Sequence, residues 1–135
     1  MAPNKDEHHA ILMVDDEPII LISLRQELRK NLGSNFDYLT ATDGETGLEL
    51  IHELQNEGRK VILVVSDWLM PGMRGDELIR KVRKAPPAIR TILLSGMADD
   101  STVSALLQDG TLDAYIQKPW SNQELLETCR KLIQI

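Results

Sequence analysis

The chain has 135 residues, 42% hydrophobic and 27% charged, with a formal net charge of −6 and a pI near 5.0. This length suits one domain with one sizeable core, and the acidic balance argues against direct nucleic-acid binding, which needs a basic face to neutralise phosphates. No apolar run reaches membrane-spanning length, the first residues are too polar for a signal peptide, and the single Cys129 cannot form an internal disulfide, so a cytoplasmic setting is expected.

Met1 to His9 reads as a solvated arm before a domain over residues 10–135, with the adjacent His8 and His9 exposed rather than metal-binding. Ala10-Ile-Leu-Met-Val14 is a short apolar strand that ends in Asp15-Asp16-Glu17. Pro18 opens a helix at the position where its missing N–H matters least. That helix runs to about Asn31–Gly33, and Gly33 is a natural terminator. Ile20, Leu21, Leu24, Leu28 and Leu32 share one face, assigned to the core. Ile19 and Ile22 point elsewhere, just after the acids. They are either scattered surface apolars or a docking patch for a partner protein.

Phe36–Thr42 alternates weakly, as an edge-like strand does. A helix follows from about Glu45 to Asn56, with Leu48, Ile51 and Leu54 as its buried stripe and His52 off it. Val61-Ile-Leu-Val-Val-Ser66 then runs straight into Asp67 and a Pro71-Gly72 turn. A continuous β-branched run of this kind suits a strand buried on both faces. It places a carboxylate at the carboxyl end of a central strand, where open α/β sheets put their ligands.

A third helix is expected from about Gly75 to Lys84, stopped by Pro86-Pro87. Thr91–Leu94 is another buried strand, ending at Ser95-Gly96, and a helix near Asp99–Gln108 follows. Asp113–Gln117 is the fifth strand, ending at Lys118-Pro119. Ser121 with Glu124 three residues on forms a capping box for the last helix, through Ile135. That helix draws its buried face from Leu125, Leu126, Cys129, Leu132 and Ile133.

Alternation of strand and helix implies a (βα)₅ parallel sheet covered on both faces. A dinucleotide-binding variant is disfavoured, because the first turn carries acids instead of a G-x-G-x-x-G run. In a parallel sheet all carboxyl ends lie on one edge, so Asp15, Asp16, Asp67, Ser95 and Lys118 converge there. A lone Asp after a strand is usually a helix cap, and a Lys before Pro is usually surface. Capping does not account for all of them at the ends of alternating strands. Clustered carboxylates stay ionised only beside a cation, and they titrate as a coupled group. Oxygen donors favour Mg²⁺ over Zn²⁺. With a hydroxyl and an ammonium opposite, the set has what phosphoryl transfer requires: countercharge and positioning.

Ile11-Leu-Met-Val-Asp-Asp-Glu-Pro18, Ser66-Asp-Trp-Leu-Met-Pro-Gly-Met73, Ile92-Leu-Leu-Ser-Gly96 and Tyr115-Ile-Gln-Lys-Pro-Trp120 together resemble the receiver domain of two-component response regulators. The resemblance covers essentially the whole chain beyond the arm. It implies a flavodoxin-like sheet of strand order 2-1-3-4-5. It further implies that Asp67 is the phosphoacceptor, taking a phosphoryl group from a histidine of a sensor kinase or phosphotransfer protein. Asp16 and Asp67 match direct Mg²⁺ ligands, with the Leu69 backbone carbonyl as a third and Asp15 acting through water. Ser95 and Lys118 match the hydroxyl and ammonium that meet the phosphoryl group, and the bond before Pro119 is usually cis. Tyr115 matches the aromatic that swings inward as Ser95 moves, and Ile19 and Ile22 fit the helix offered to kinases. Trp120 stands where many receivers have Phe. Leu69 and Met97 flank the path of the hydrolytic water with no polar group, which implies a long-lived phosphoryl group.

Two other classes compete. A Mg²⁺-dependent phosphatase or phosphotransferase would use Asp67 as nucleophile, but such hydrolases usually carry a second Asp two residues on, where this chain has Leu69. An interaction module that ignores phosphate would need none of the site. The chain ends with the last helix, which fits either a stand-alone receiver or the N-terminal piece of a longer regulator with a downstream effector. Homodimerisation through the fourth helix, fifth strand and fifth helix is compatible with either.

Overall fold

In the computed structural model, which describes residues 9–83, 89–96 and 100–134, strands and helices alternate without exception. They are β1 (His9–Val14), α1 (Pro18–Leu32), β2 (Phe36–Ala41), α2 (Gly44–Asn56), β3 (Val61–Asp67), α3 (Gly75–Arg83), β4 (Arg90–Ser95), α4 (Asp100–Gln108), β5 (Ala114–Gln117) and α5 (Asn122–Ile133). The five strands form one parallel sheet in the order β2-β1-β3-β4-β5, the flavodoxin-like arrangement. Residues 1–8 of the expected arm, Lys84, the Pro86-Pro87 stop, Met97, Asp99 and Ile135 lie outside the described residues. No helix among the described residues is long and apolar enough to cross a membrane.

The strands sort their side chains by parity. Ile11, Met13, Leu63, Val65, Ile92 and Leu94 pack with α1 and α5 on one face, around Leu24, Leu28, Leu125 and Cys129. Ala10, Leu12, Val14 and Val64 pack with α2 and α3 on the other. A smaller third cluster joins Trp68, Ile79 and Leu93 to Val103 and Leu106 of α4. The β1–β3 register slips between Ala10 and Ile11, which pair with Val61 and Leu63. The extra residue, Ile62, is half-buried. Such a bulge resets alternation for everything downstream, so Asp67 shares the parity of Leu63 and Val65.

Several element ends and two burial assignments differ from the sequence reading. β2 stops at Ala41, one residue before Thr42, and α2 opens at Gly44, one before Glu45. Leu48 of the expected α2 stripe is half-buried. β1 starts at His9, because the ladder extends to a His9–Phe36 pair. β4 begins a residue earlier, at Arg90, paired with Leu63. Asp113 stays out of β5: its carboxylate accepts the Thr91 N–H at 2.9 Å and pairs with Arg83 and Arg90. α5 ends at Ile133, where Gln134 turns left-handed (φ 62°) and donates its N–H to the Arg130 carbonyl. Ile20 is only half-buried, because the packed stripe of α1 is the narrower Leu21, Leu24, Leu28, Leu32 set. Gly33 ends α1 as expected, donating to the Arg29 carbonyl, and Ser121 caps the start of α5, its hydroxyl accepting the Glu124 N–H. Burial pushes the Cys129 thiol up to about 12, which makes it a core residue rather than a reactive one.

Candidate functional site

Parallel pairing brings the strand ends together. Val14, last of β1, lies opposite Ser66; Asp67 lies opposite Leu94; Ser95 lies opposite Gln117. The residues just beyond, Asp15 and Lys118, are thereby set against Asp67 and Ser95 on one edge. Asp15, Asp16 and Asp67 each place a carboxylate oxygen within 4.8 Å of the others. Asp15 is 1% exposed and Asp67 8%, whereas Asp16 faces solvent. Lys118 bridges the buried pair: its Nζ donates to Asp67 Oδ1 at 3.1 Å and to Asp15 Oδ2 at 3.2 Å. The other Asp15 oxygen accepts the Glu17 N–H at 2.9 Å, which fixes the start of α1 to the site.

Burial, opposed by the hydrogen bond and charge of Lys118 and reinforced by the charge of Asp15, holds the Asp67 carboxyl above its ordinary value. Burial likewise works against the Lys118 ammonium, yet Asp67 and Asp15 together outweigh it and raise that group too. A lone pair would raise the lysine and lower the acid. Here both rise, because one ammonium is shared between two carboxylates and removal from water acts on Asp67 in full. The site is short of positive charge. Three oxygen-donor side chains with no His or Cys among them fit a hard divalent cation, and they can hold one.

Ser95 is buried. Its carbonyl accepts two donors, the Lys118 N–H at 3.0 Å and the Tyr115 hydroxyl at 3.0 Å. Tyr115 is half-buried against the third cluster. Tyr115 and Ser95 are thus joined directly, from the tyrosine hydroxyl to the serine backbone carbonyl. The Lys118–Pro119 bond is cis, as the resemblance implied, and Trp120 packs partly buried on the first cluster.

Leu69, two residues past Asp67, has an exposed side chain, and Ile19 and Ile22 are 79% and 59% exposed. All three project outward. Trp68 and Met70, on either side of Leu69, are buried in different clusters, so the loop after β3 is pinned around it.

Sequence reasoning missed two features of this loop. Gly75, first residue of α3, donates its N–H to the Trp68 carbonyl at 2.8 Å. A Cβ there would lie 2.1 Å from the Asp67 carbonyl oxygen and 2.9 Å from Trp68 Cα. A glycine opening a helix is a poor helix former at that place, and this was the available signal. The second is Asp76, a buried carboxylate held by Arg74 and Arg80. Its acidic character reads in the sequence as an ordinary first-turn residue.

The doubly wound parallel sheet, with its lysine-bridged acids where β1 and β3 part, defines a flavodoxin-like α/β domain with a site at the topological switch point. A family model described as the response regulator receiver domain matches residues 11–130. The chain belongs to that family, whose members work in two-component signalling. Among curated relatives, it is 29% identical over 129 residues to the hydrogenase transcriptional regulatory protein HoxA of Cupriavidus necator, covering 96% of this chain and 25% of HoxA. It is 32% identical over 120 residues to the DNA-binding response regulator MtrA of Mycolicibacterium smegmatis, covering 89% of this chain and 48% of MtrA. The chain spans about half or less of the length of the curated relatives it matches. Solved structures match over nearly their full length. The signal receiver domain of an HD domain-containing protein from Pseudomonas fluorescens is 30% identical with a TM-score of 0.80, covering 95% of this chain and 96% of that one. A CheY-like receiver domain protein from Methanospirillum hungatei is 31% identical with a TM-score of 0.78, at the same coverage.

Proposed function

We propose that this chain is a phosphorylation-dependent switch in which Asp67 accepts a phosphoryl group from a histidine of a sensor kinase or phosphotransfer protein. The observation that carries this reading is the Lys118 ammonium bridging buried Asp15 and Asp67 at the switch point of the sheet. An Asp67 oxygen bonds to phosphorus as the bond from phosphorus to the donor imidazole breaks, and the imidazole leaves with the electron pair. Asp16, Asp67 and the Leu69 carbonyl would hold Mg²⁺, with Asp15 holding it through water. When bound, the cation supplies the countercharge that three carboxylates and an incoming phosphoryl group require.

Lys118 keeps its charge through the step and pairs with the phosphoryl oxygens. The Ser95 hydroxyl closes on the same group. The Ser95 carbonyl accepts the Tyr115 hydroxyl, so a movement of Ser95 in this reading is felt at Tyr115. The phosphoryl group then acts as a ligand that favours one arrangement of the α4–β5–α5 face over another. The output passes to a downstream partner or effector domain, a reading supported by relatives named as transcriptional regulators and sensor kinases. Homodimerisation through that face on activation and a cytoplasmic location are compatible with this role. Self-phosphorylation and self-dephosphorylation are the only chemistry it asks of the chain, which is not a turnover enzyme in this reading.

The test is incubation with acetyl phosphate with and without Mg²⁺, followed by mass spectrometric mapping. One phosphoryl group on Asp67, dependent on Mg²⁺, is expected. No uptake, or a group on another residue, overturns the reading, and steady release of phosphate from added phosphomonoesters would favour the phosphatase class.

Two further outcomes are expected. With the apolar Leu69 beside the acceptor, the acyl phosphate should persist well beyond seconds unless a phosphatase assists; a lifetime of seconds after donor removal would refute this. Replacing exposed Ile19 and Ile22 with Asp should slow transfer from the kinase by about 10-fold or more, as loss of central apolar contacts does. Uptake from acetyl phosphate should be unaffected, and equal loss of both would rule out docking on α1.

A further inference from the structure

Asp76 is a carboxylate in the first turn of α3, a place that favours negative charge, but that benefit needs no burial. It is nevertheless 2% exposed. Both its oxygens are engaged: Oδ1 accepts Arg74 Nε at 3.1 Å, and Oδ2 accepts Arg74 Nη2 and Arg80 Nη1, each at 3.2 Å. The Arg74 contact is a two-pronged fork, the geometry that adds direction as well as energy. It reaches across a single residue. That residue is Gly75, whose N–H bonds the Trp68 carbonyl and whose Cα lies too near the Asp67 carbonyl for any side chain. Arg74 also accepts the Leu78 N–H on its carbonyl at 3.0 Å, so it is the residue on which α3 starts.

We infer that Asp76 is a positioning residue for the acceptor site. By gripping Arg74 across Gly75, it fixes the backbone of Gly75 against the Asp67–Trp68 peptide. The loop from Trp68 to Arg74 is closed at its neck by the Gly75–Trp68 hydrogen bond, and the fork braces that neck from outside. Arg80, one turn on, neutralises the second oxygen, without which a buried carboxylate would be strongly unfavourable. Asp76 does not touch the reacting atoms. It acts on the direction of the Asp67 side chain and of the Leu69 carbonyl through the backbone they share. This role rests on the reading of Asp67 as phosphoacceptor and Mg²⁺ ligand.

The test uses the full chain as wild type, Asp76→Asn and Arg74→Lys. Asn keeps the size of the side chain but not its charge; Lys keeps the charge but not the fork. Mg²⁺ affinity is measured by calorimetry at a temperature where each variant is fully folded, and amide exchange is followed at Gly75. Asp76→Asn is expected to weaken Mg²⁺ binding by about 10-fold, as loss of a ligand's supporting contact does, to slow uptake from acetyl phosphate in parallel, and to speed exchange at Gly75. Arg74→Lys should show the same pattern with smaller amplitude, and it carries the test if Asp76→Asn does not fold, because Arg74 is half-exposed. A purely structural role would lower the unfolding midpoint and leave Mg²⁺ affinity alone. Unchanged affinity and unchanged exchange at Gly75 in a folded variant overturn the inference. Failure of the wild type to take a phosphoryl group on Asp67 is a different result: it removes the acceptor reading, and with it the role of Asp76.

Discussion

Asp67→Asn is expected to abolish Mg²⁺-dependent phosphoryl uptake and, in a chelating buffer, to make the fold more stable. The first effect follows from chemistry, since an amide has no anionic oxygen to form the acyl phosphate. The second follows from burial. The Asp67 carboxyl sits above its ordinary value, chiefly because it is removed from water, with Asp15 adding to the effect. A group raised in this way contributes its stabilisation below the unfolded value of 3.8, and that contribution is lost as pH rises through the folded value. At neutral pH the ionised side chain therefore opposes folding, and Asn removes the opposition. A gain of about 1 kcal/mol is expected, the usual scale of a single stabilising substitution, or a rise in melting temperature of about 4 °C. Adding Mg²⁺ should stabilise the wild type by mass action and the variant much less. Thermal melts with and without chelator, beside the acetyl-phosphate assay, check both halves. Uptake retained by the variant would place the phosphoryl group elsewhere.

The second large effect is expected at Gly75. The new methyl of Gly75→Ala would meet the Asp67 carbonyl oxygen at 2.1 Å, with Leu93 Cδ1 and Trp68 Cα each at 2.9 Å. Leu93 can rotate away, but the other two atoms are backbone of the acceptor strand and the residue after it. Relief requires moving α3 away from β3, which breaks the Gly75–Trp68 hydrogen bond and displaces Asp67. Overpacking of this kind costs about 3 kcal/mol or more, a large share of a typical domain's stability of about 5–15 kcal/mol. Gly58→Ala is the matched control. Gly58 has φ +77° and nothing within 4 Å of the added atom, so its cost is backbone strain alone, about 1 kcal/mol. Urea unfolding of the two variants should separate them clearly. Equal midpoints would show that the α3–β3 approach yields easily and that Gly75 is not a spatial requirement.

Both effects lie on the same short stretch, and they differ in how far the residues themselves foretell them. The carboxylate ending a buried strand is visible in Val61–Asp67, because strand character and the turn after it are local properties. So are the α1 stripe of Leu21, Leu24, Leu28 and Leu32, the Gly33 terminator and the Ser121 cap. Given parallel strands, the meeting of Asp15, Asp67, Ser95 and Lys118 on one edge also follows from order alone.

Distances do not. That Lys118 divides itself between Asp15 and Asp67 depends on where the end of β5 falls against those of β1 and β3. That Ile62 forms a bulge, and thereby sets the side on which Asp67 emerges, depends on a register between strands some fifty residues apart in sequence. Ile20 has the right spacing for the core and remains half-buried, because the width of a packed stripe is set by the neighbouring strand and helix and not by the helix itself. Asp76 reads as an ordinary acid at a helix start, and only the packing of α3 on β3 takes it out of water and makes its arginines necessary. The type of each element, their order in the chain and the chemical character of the site are legible in the residues, since these rest on contacts near in the chain or on strand order. Tertiary structure alone decided which groups touch, which are buried and where no side chain fits, because those depend on the separation of elements that local periodicity does not encode.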